Sequence, residues 1–123
     1  MAPTFSIVAD PALSLVSIEM SGFFEPSDVY AFETARDAAH SQLRCKSNEH
    51  LTLVDMRDML IQSKEAVAEF QRLLNNPASK SKRIAIVVSP TLARTQIKRA
   101  AERRDVKYFT GGTAEARNWL LAG

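Results

Sequence analysis

LTLVD (Leu51 to Asp55), followed at once by Met56, Arg57 and Asp58, is the stretch that decides the architecture. A short, nearly continuous apolar run of this kind is what a strand buried on both faces requires. It delivers three charged side chains where the strand emerges toward a helix, and in parallel α/β sheets that carboxyl end is where ligands and partners dock. The junction is therefore the expected working surface, with Asp55, Arg57, Asp58, Met59 and Ser63 as its candidate partner- or ligand-binding residues.

Downstream, Ser63 is a plausible N-cap for a helix whose stripe of Ala66, Val67, Phe70, Leu73 and Leu74 ends at Asn75-Asn76-Pro77. RIAIVVS (Arg83 to Ser89) is β-branched and uncharged through its centre, so it is expected as a central strand. Pro90 and Thr91 open a third helix that sets Ala93, Ile97, Ala100 and Ala101 inward, against an outward basic face of Arg94, Lys98, Arg99 and Arg103. VKYFT (Val106 to Thr110) returns as a strand, and Gly111-Gly112-Thr113 turns into a last helix carrying Trp119 and Leu120. Upstream, Phe5 to Ala9 and Leu13 to Met20 flank Asp10-Pro11-Ala12 and read as an antiparallel hairpin. Pro26 and Asp28 mark the start of a helix from about Ser27 to Leu43, with Val29, Phe32, Ala35, Ala39 and Leu43 on its apolar face. The order β-β-α-β-α-β-α-β-α predicts one α/β domain over residues 1–123. Its mixed, mostly parallel sheet has about five strands, joined by right-handed crossovers, and it carries four helices.

Composition agrees with one domain: 123 residues, 46% hydrophobic and 24% charged. No apolar stretch nears the roughly 18 residues of a membrane span. The N-terminus MAPTFSIV lacks the basic and apolar segments of a secretory signal, so the default expectation is cytoplasmic. Cys45 stands alone, which excludes an intrachain disulfide framework and a cysteine-rich zinc site; between Arg44 and Lys46 it reads as a passive thiol. Residues 1–78 carry 6 Lys/Arg against 11 Asp/Glu, and residues 79–123 carry 10 against 3. Such a dipolar chain is suited to an acidic partner or to head-to-tail contact between two copies as a homodimer.

The succession of LTLVDMRDM, RIAIVVS and VKYFTGGTAEARNWL resembles the STAS domain family, and within it the small bacterial SpoIIAA-like proteins. The likeness spans nearly the whole chain. It implies a non-catalytic regulatory module that binds a partner protein, in some members switched by phosphorylation of a serine at the start of the second helix. Where those members carry an Asp-Ser-Ser-Gly or similar stretch, this chain reads Ile61-Gln62-Ser63-Lys64-Glu65, without glycine and with one serine. A phosphate on Ser63 would add about −1.5 to −2 of charge at a helix N-terminus, a position that tolerates it. The plainer reading makes Ser63 an ordinary cap.

Other chemistry is thinly signalled. Asp55, Arg57 and Asp58 either form a polar receptor, with Arg57 free to grip a carboxylate or phosphate, or satisfy one another. His40 and His50 lack a metal-ligand spacing and read as surface or capping residues, so neither metal nor cofactor is expected. No nucleophile motif surrounds any serine. Gly111-Gly112-Thr113 lacks the longer glycine fingerprints and reads as a tight turn. With 7% aromatics and no base-stacking arrangement, the basic face reads as a solvated helix surface rather than a nucleic-acid site.

The expectation is a non-enzymatic regulatory or protein-interaction module. The alternative, from the same resemblance extended toward CRAL-TRIO-type lipid carriers, is a protein enclosing a small apolar ligand, with Phe23, Phe24, Met56, Met59 and Leu60 at a pocket mouth. A cavity of several hundred Å³ beside those residues favours the carrier, and a closed core with an exposed apolar patch favours the protein partner.

Overall fold

The computed structural model describes residues 2–46, 48–76, 80–90, 92–101 and 106–122. Nine elements follow one another: β1 (Thr4–Asp10), β2 (Leu15–Gly22), α1 (Pro26–His40), β3 (Leu51–Met59), α2 (Lys64–Leu74), β4 (Arg83–Val87), α3 (Leu92–Ala100), β5 (Val106–Phe109) and α4 (Thr113–Leu121). The strands form one sheet in the order β1-β2-β3-β4-β5. β1 lies antiparallel to β2, and every later pair is parallel.

Because each parallel crossover advances one strand in the same direction, right-handed connections bring α1, α2 and α3 to one face. Their shared core joins Val16, Ile18, Met20, Val54, Met59, Ile84 and Ile86 of the strands to Phe24, Val29, Phe32, Ala66 and Leu73. The pleat sends the alternate residues, Leu15, Leu53, Ala85, Val87 and Phe109, to the other face, where Ala116 and Leu120 of α4 cover them. After Arg83, β4 is apolar and buried because both of its faces are covered. On the three-helix face Phe5, Phe24, Phe32 and Phe70 meet with ring centroids 5.5 to 6.5 Å apart. Phe24 is fully buried, a burial that contributes about 1.5–3 kcal/mol.

Of the boundaries that differ from the expectation, three bear on the core and the site. β2 begins at Leu15, because the hairpin turn, closed by Leu13 N–H to Asp10 O at 3.2 Å, takes in Leu13. α1 ends at His40, yet the chain turns on through Leu43 N–H to His40 O at 3.1 Å, so Leu43 still packs against the core. β3 does not stop at Asp55; it runs on to Met59, so Met56, Arg57 and Asp58 are strand residues rather than a strand-to-helix loop. Among the described residues, no helix is long and apolar enough to cross a membrane.

Candidate functional site

The carboxyl end of β3 is bent by a bulge. Glu19 pairs with Asp55 and Ser21 with Asp58, so Met56 and Arg57 together stand opposite Met20. The extra residue lets both aspartates emerge on the α4 side of the sheet while Met56 and Met59 turn toward α1–α3. The five candidates from this junction therefore do not share a surface. Arg57 Nε and Nη2 grip the Asp55 carboxylate at 3.0 and 2.7 Å, so these two satisfy each other. The hydrogen bond from Arg57 holds the Asp55 carboxyl below its ordinary value, against an opposing desolvation. Asp55 and Asp58 line a polar hollow of about 190 Å³ with Thr4, Ser6, Glu19 and Ser21, on the part of the sheet formed by β1, β2 and β3.

Gln62 closes the next layer. This buried side chain accepts from Phe24 N–H at 2.8 Å and donates to Gly22 O at 2.9 Å and Leu60 O at 2.5 Å. Its backbone exchanges two bonds with the Gln96 side chain of α3, at 2.6 and 2.8 Å. One residue thus fastens the ends of β2 and β3 to α3. Ser63, immediately after it, caps α2 by accepting from Ala66 N–H at 3.2 Å. The helix start, the strand ends and the latch all lie at one end of the sheet.

Behind this latch, between the sheet and α1–α3, lies an apolar cavity of about 110 Å³. Its wall is built from Ile18, Met20, Phe32, Val54, Met56, Met59, Val67, Phe70, Leu73, Ile84, Ile86 and Ile97, with Leu60 exposed at the strands' carboxyl end. Met20, Met56 and Met59 are three of the four methionines in the chain, and unbranched thioethers form a wall that readily adapts its shape. Met56, Met59 and Leu60 hold the lining positions that the carrier reading expects. Phe24 is instead sealed in the core, and the volume is smaller than several hundred Å³.

The opposite end of the cavity is polar. α1 runs back along the sheet and sets Arg36 and His40, one turn apart, beside Thr52 at the start of β3 and Ser81 just before β4. The His40 ring lies 4.4 Å from that of His50, which is buried, contrary to the expectation of surface histidines. His50 Nε2 meets Ser81 Oγ at 3.0 Å, Ser81 meets Thr52 Oγ1 at 2.5 Å, and Lys82 N–H donates to His50 O at 2.7 Å. The Ser81–His50 distance suits a base beside a hydroxyl. The accompanying bonds make the group a stitch across the amino ends of β3 and β4. Burial first, then the Arg36 charge, pushes the His40 imidazole below its ordinary value, with Asp37 opposing. Arg36 is thus the permanent cation of this end; its side chain is 11% exposed and touches Asp37 at 3.4 Å.

The remaining candidates lie elsewhere. Lys98 and Arg99 are exposed on α3, Arg94 is half-buried, and Lys98 Nζ sits 5.3 Å from the Tyr108 ring; Arg103 falls outside the described residues. Gly112, with φ of +124°, makes the tight turn into α4. Cys45 is a half-buried free thiol. Among the described residues no group of three His, Cys, Asp or Glu is placed to hold a metal ion. Sequence reasoning passed over Gln62, Arg36 and Ser81 and set His40 aside as a surface or capping residue. For two of them a signal existed: Phe32, Arg36 and His40 recur every four residues on the core face of α1.

No protein-family model matches the chain, and comparison with curated proteins finds no match. Among solved structures, the chain is similar to an uncharacterized protein of the DUF3478 family with a SpoIIAA-like fold from Shewanella loihica PV-4. The TM-score is 0.75 at 18% identity, over 98% of this chain and 96% of that one. The antiparallel opening hairpin, the ordered parallel strands and the three-against-one placement of helices are thus those of a SpoIIAA-like α/β fold.

Proposed function

We propose that this protein is a non-enzymatic binding module that encloses a small apolar molecule between its sheet and helices α1–α3. The observation that carries the reading is the methionine-rich cavity of about 110 Å³ in the middle of the main core. Native interiors close-pack at the density of organic crystals, so an unfilled apolar space forfeits dispersion contacts that side chains would otherwise make. A compact cavity of about 150 Å³ accommodates a benzene ring. Here the volume is smaller, and its lining runs from Thr52 to Met59 of β3, a span of roughly 20 Å.

A second reading keeps the regulatory, protein-interaction role, with or without phosphorylation of Ser63. It draws on the acid-lined hollow at Glu19, Asp55 and Asp58, which suits a basic side chain of a partner, and on Leu60 and Ile61, exposed just after β3. One experiment separates the two: purify the protein gently from its own cells and identify what accompanies it by mass spectrometry of both small molecules and proteins. The cavity reading expects an apolar small molecule at near one per chain. A ligand-free protein carrying a stoichiometric protein partner would transfer the function to the hollow.

A further inference from the structure

The face of the sheet that carries α4 is only half covered. α4 packs over β3, β4 and β5, with Leu15 at the start of β2 joining the same core, and leaves Ser6, Val8, Ser17 and Glu19 beyond it. Val8, 61% exposed there, is the most exposed large apolar side chain among the described residues. α4 itself turns Ala116 and Leu120 inward, while Ala114, Arg117, Asn118 and Leu121, at spacings of three and four residues, form an exposed outer stripe. The face is therefore a step, one helix diameter or roughly 10 Å high, with exposed apolar groups on both of its levels.

The two levels also differ in charge. On the bare half Glu19, Asp55 and Asp58 stand against Arg57, which pairs with Asp55 and which Glu19 and Asp58 reach only from a distance. On the α4 half Arg83 and Lys107, beside the Trp119 ring, and Arg117 stand against Glu115. Among the described residues none of Glu19, Asp58 and Arg117 forms an ion pair of its own.

We propose that this face joins two copies of the chain about a two-fold axis. Each copy lays its α4 on the bare β1–β2 half of the other, with Arg117 of each against Glu19 and Asp58 of the other. A second copy matches the step in shape and in sign at once, and the symmetry uses every complementary pair twice. A separate basic partner would fill the hollow but leave the outer stripe of α4 uncovered. The inference takes up the hollow of the second reading, assigns its occupant, and is independent of the cavity.

The test is sedimentation equilibrium of the full chain over a concentration series at low and high salt. The expected result is a monomer–dimer equilibrium that weakens as salt is added. Arg117→Glu alone and Glu19→Arg alone should each weaken the dimer about tenfold or more, because each reversal sets like charges together twice. Mixed in equal amounts, the two variants should regain the dimer, since the reversed positions then face each other with opposite sign. Both positions are exposed, so circular dichroism should show the fold unchanged. A chain that stays monomeric at every concentration overturns the proposal, and capture of a separate basic protein by that monomer would leave the second reading standing. A dimer indifferent to salt and to both reversals uses another face and overturns it as well. Open-ended assemblies in place of a dimer overturn the two-fold.

Discussion

Gln62 does through one amide what a loop of several residues would otherwise need to do. Its carbonyl accepts the buried Phe24 N–H, and its amino group serves Gly22 O and Leu60 O. Gln62→Leu keeps the volume and removes the side-chain partners of Phe24 N–H and Leu60 O, while Gly22 O keeps only the Leu60 N–H at 3.2 Å, so unfolding free energy in urea should fall by about 1–3 kcal/mol. A change below about 0.5 kcal/mol, the range of ordinary surface substitutions, would show that solvent reaches these groups and that the latch is not closed. Single-residue roles of this kind were the least legible in the sequence. Nothing local distinguishes a glutamine that reaches across 40 residues to Gly22 from one that faces water, because its partners are backbone groups of any sequence. Ser63 was legible for the opposite reason: a cap bonds to its own helix, and its signal is contained in the following few residues. Arg36 and His40 stood at core-facing spacings, and an apolar stripe counted without its charged members passes over them.

At the scale of elements, α1 and α2 are held together at their outer edge by Arg72. Its guanidinium meets Glu33 of α1 at 2.9 and 3.1 Å and Glu69 of its own helix at 2.9 Å, and lies 5.7 Å from the Tyr30 ring. The Arg72 hydrogen bond holds the Glu33 carboxyl below its ordinary value, against partial desolvation. A carboxyl depressed in the folded state contributes stability that is fully present above its unfolded pKa and lost as pH falls through the folded one. Arg72 is 46% exposed, so Arg72→Ala should cost only about 0.5–1 kcal/mol at neutral pH. The difference from wild type, measured by thermal unfolding across a pH series, should shrink as the medium is acidified below the ordinary glutamate range. A difference that stays constant with pH would mean that aliphatic packing of Arg72, not the ion pair, joins the helices. The elements themselves were largely readable, because periodicity is a property of many residues at once. The extension of β3 to Met59 was not. It depends on a bulge against β2, and a bulge is a relation between two strands that neither sequence carries alone.

At the scale of the whole molecule, the topology explains both surfaces under discussion. Advancing strands with one handedness of crossover place three helices on one face, and the single terminal helix α4 packs over β3, β4 and β5 on the other. The acid-lined hollow lies toward β1 and β2, past the reach of α4. The cavity lies on the crowded side, where α2 and α3 bridge the sheet while Gln62 and Gln96 join them at one end. Fold class follows from the alternation of segments in the sequence, as the SpoIIAA-like match bears out. The cavity does not, since an unfilled volume depends on how side chains from three helices miss one another.

The most direct measurement is NMR of protein labelled at its methionine methyl groups, titrated with 1-octanol. Met20, Met56 and Met59 line the space in question, so their methyls report from inside it. The account predicts saturable shifts at one site per chain and intermolecular contacts between the octanol chain and these three methyls. Contacts confined to exposed Val8, Tyr30 or Ile61, with the three methyls unmoved at saturation, would contradict it.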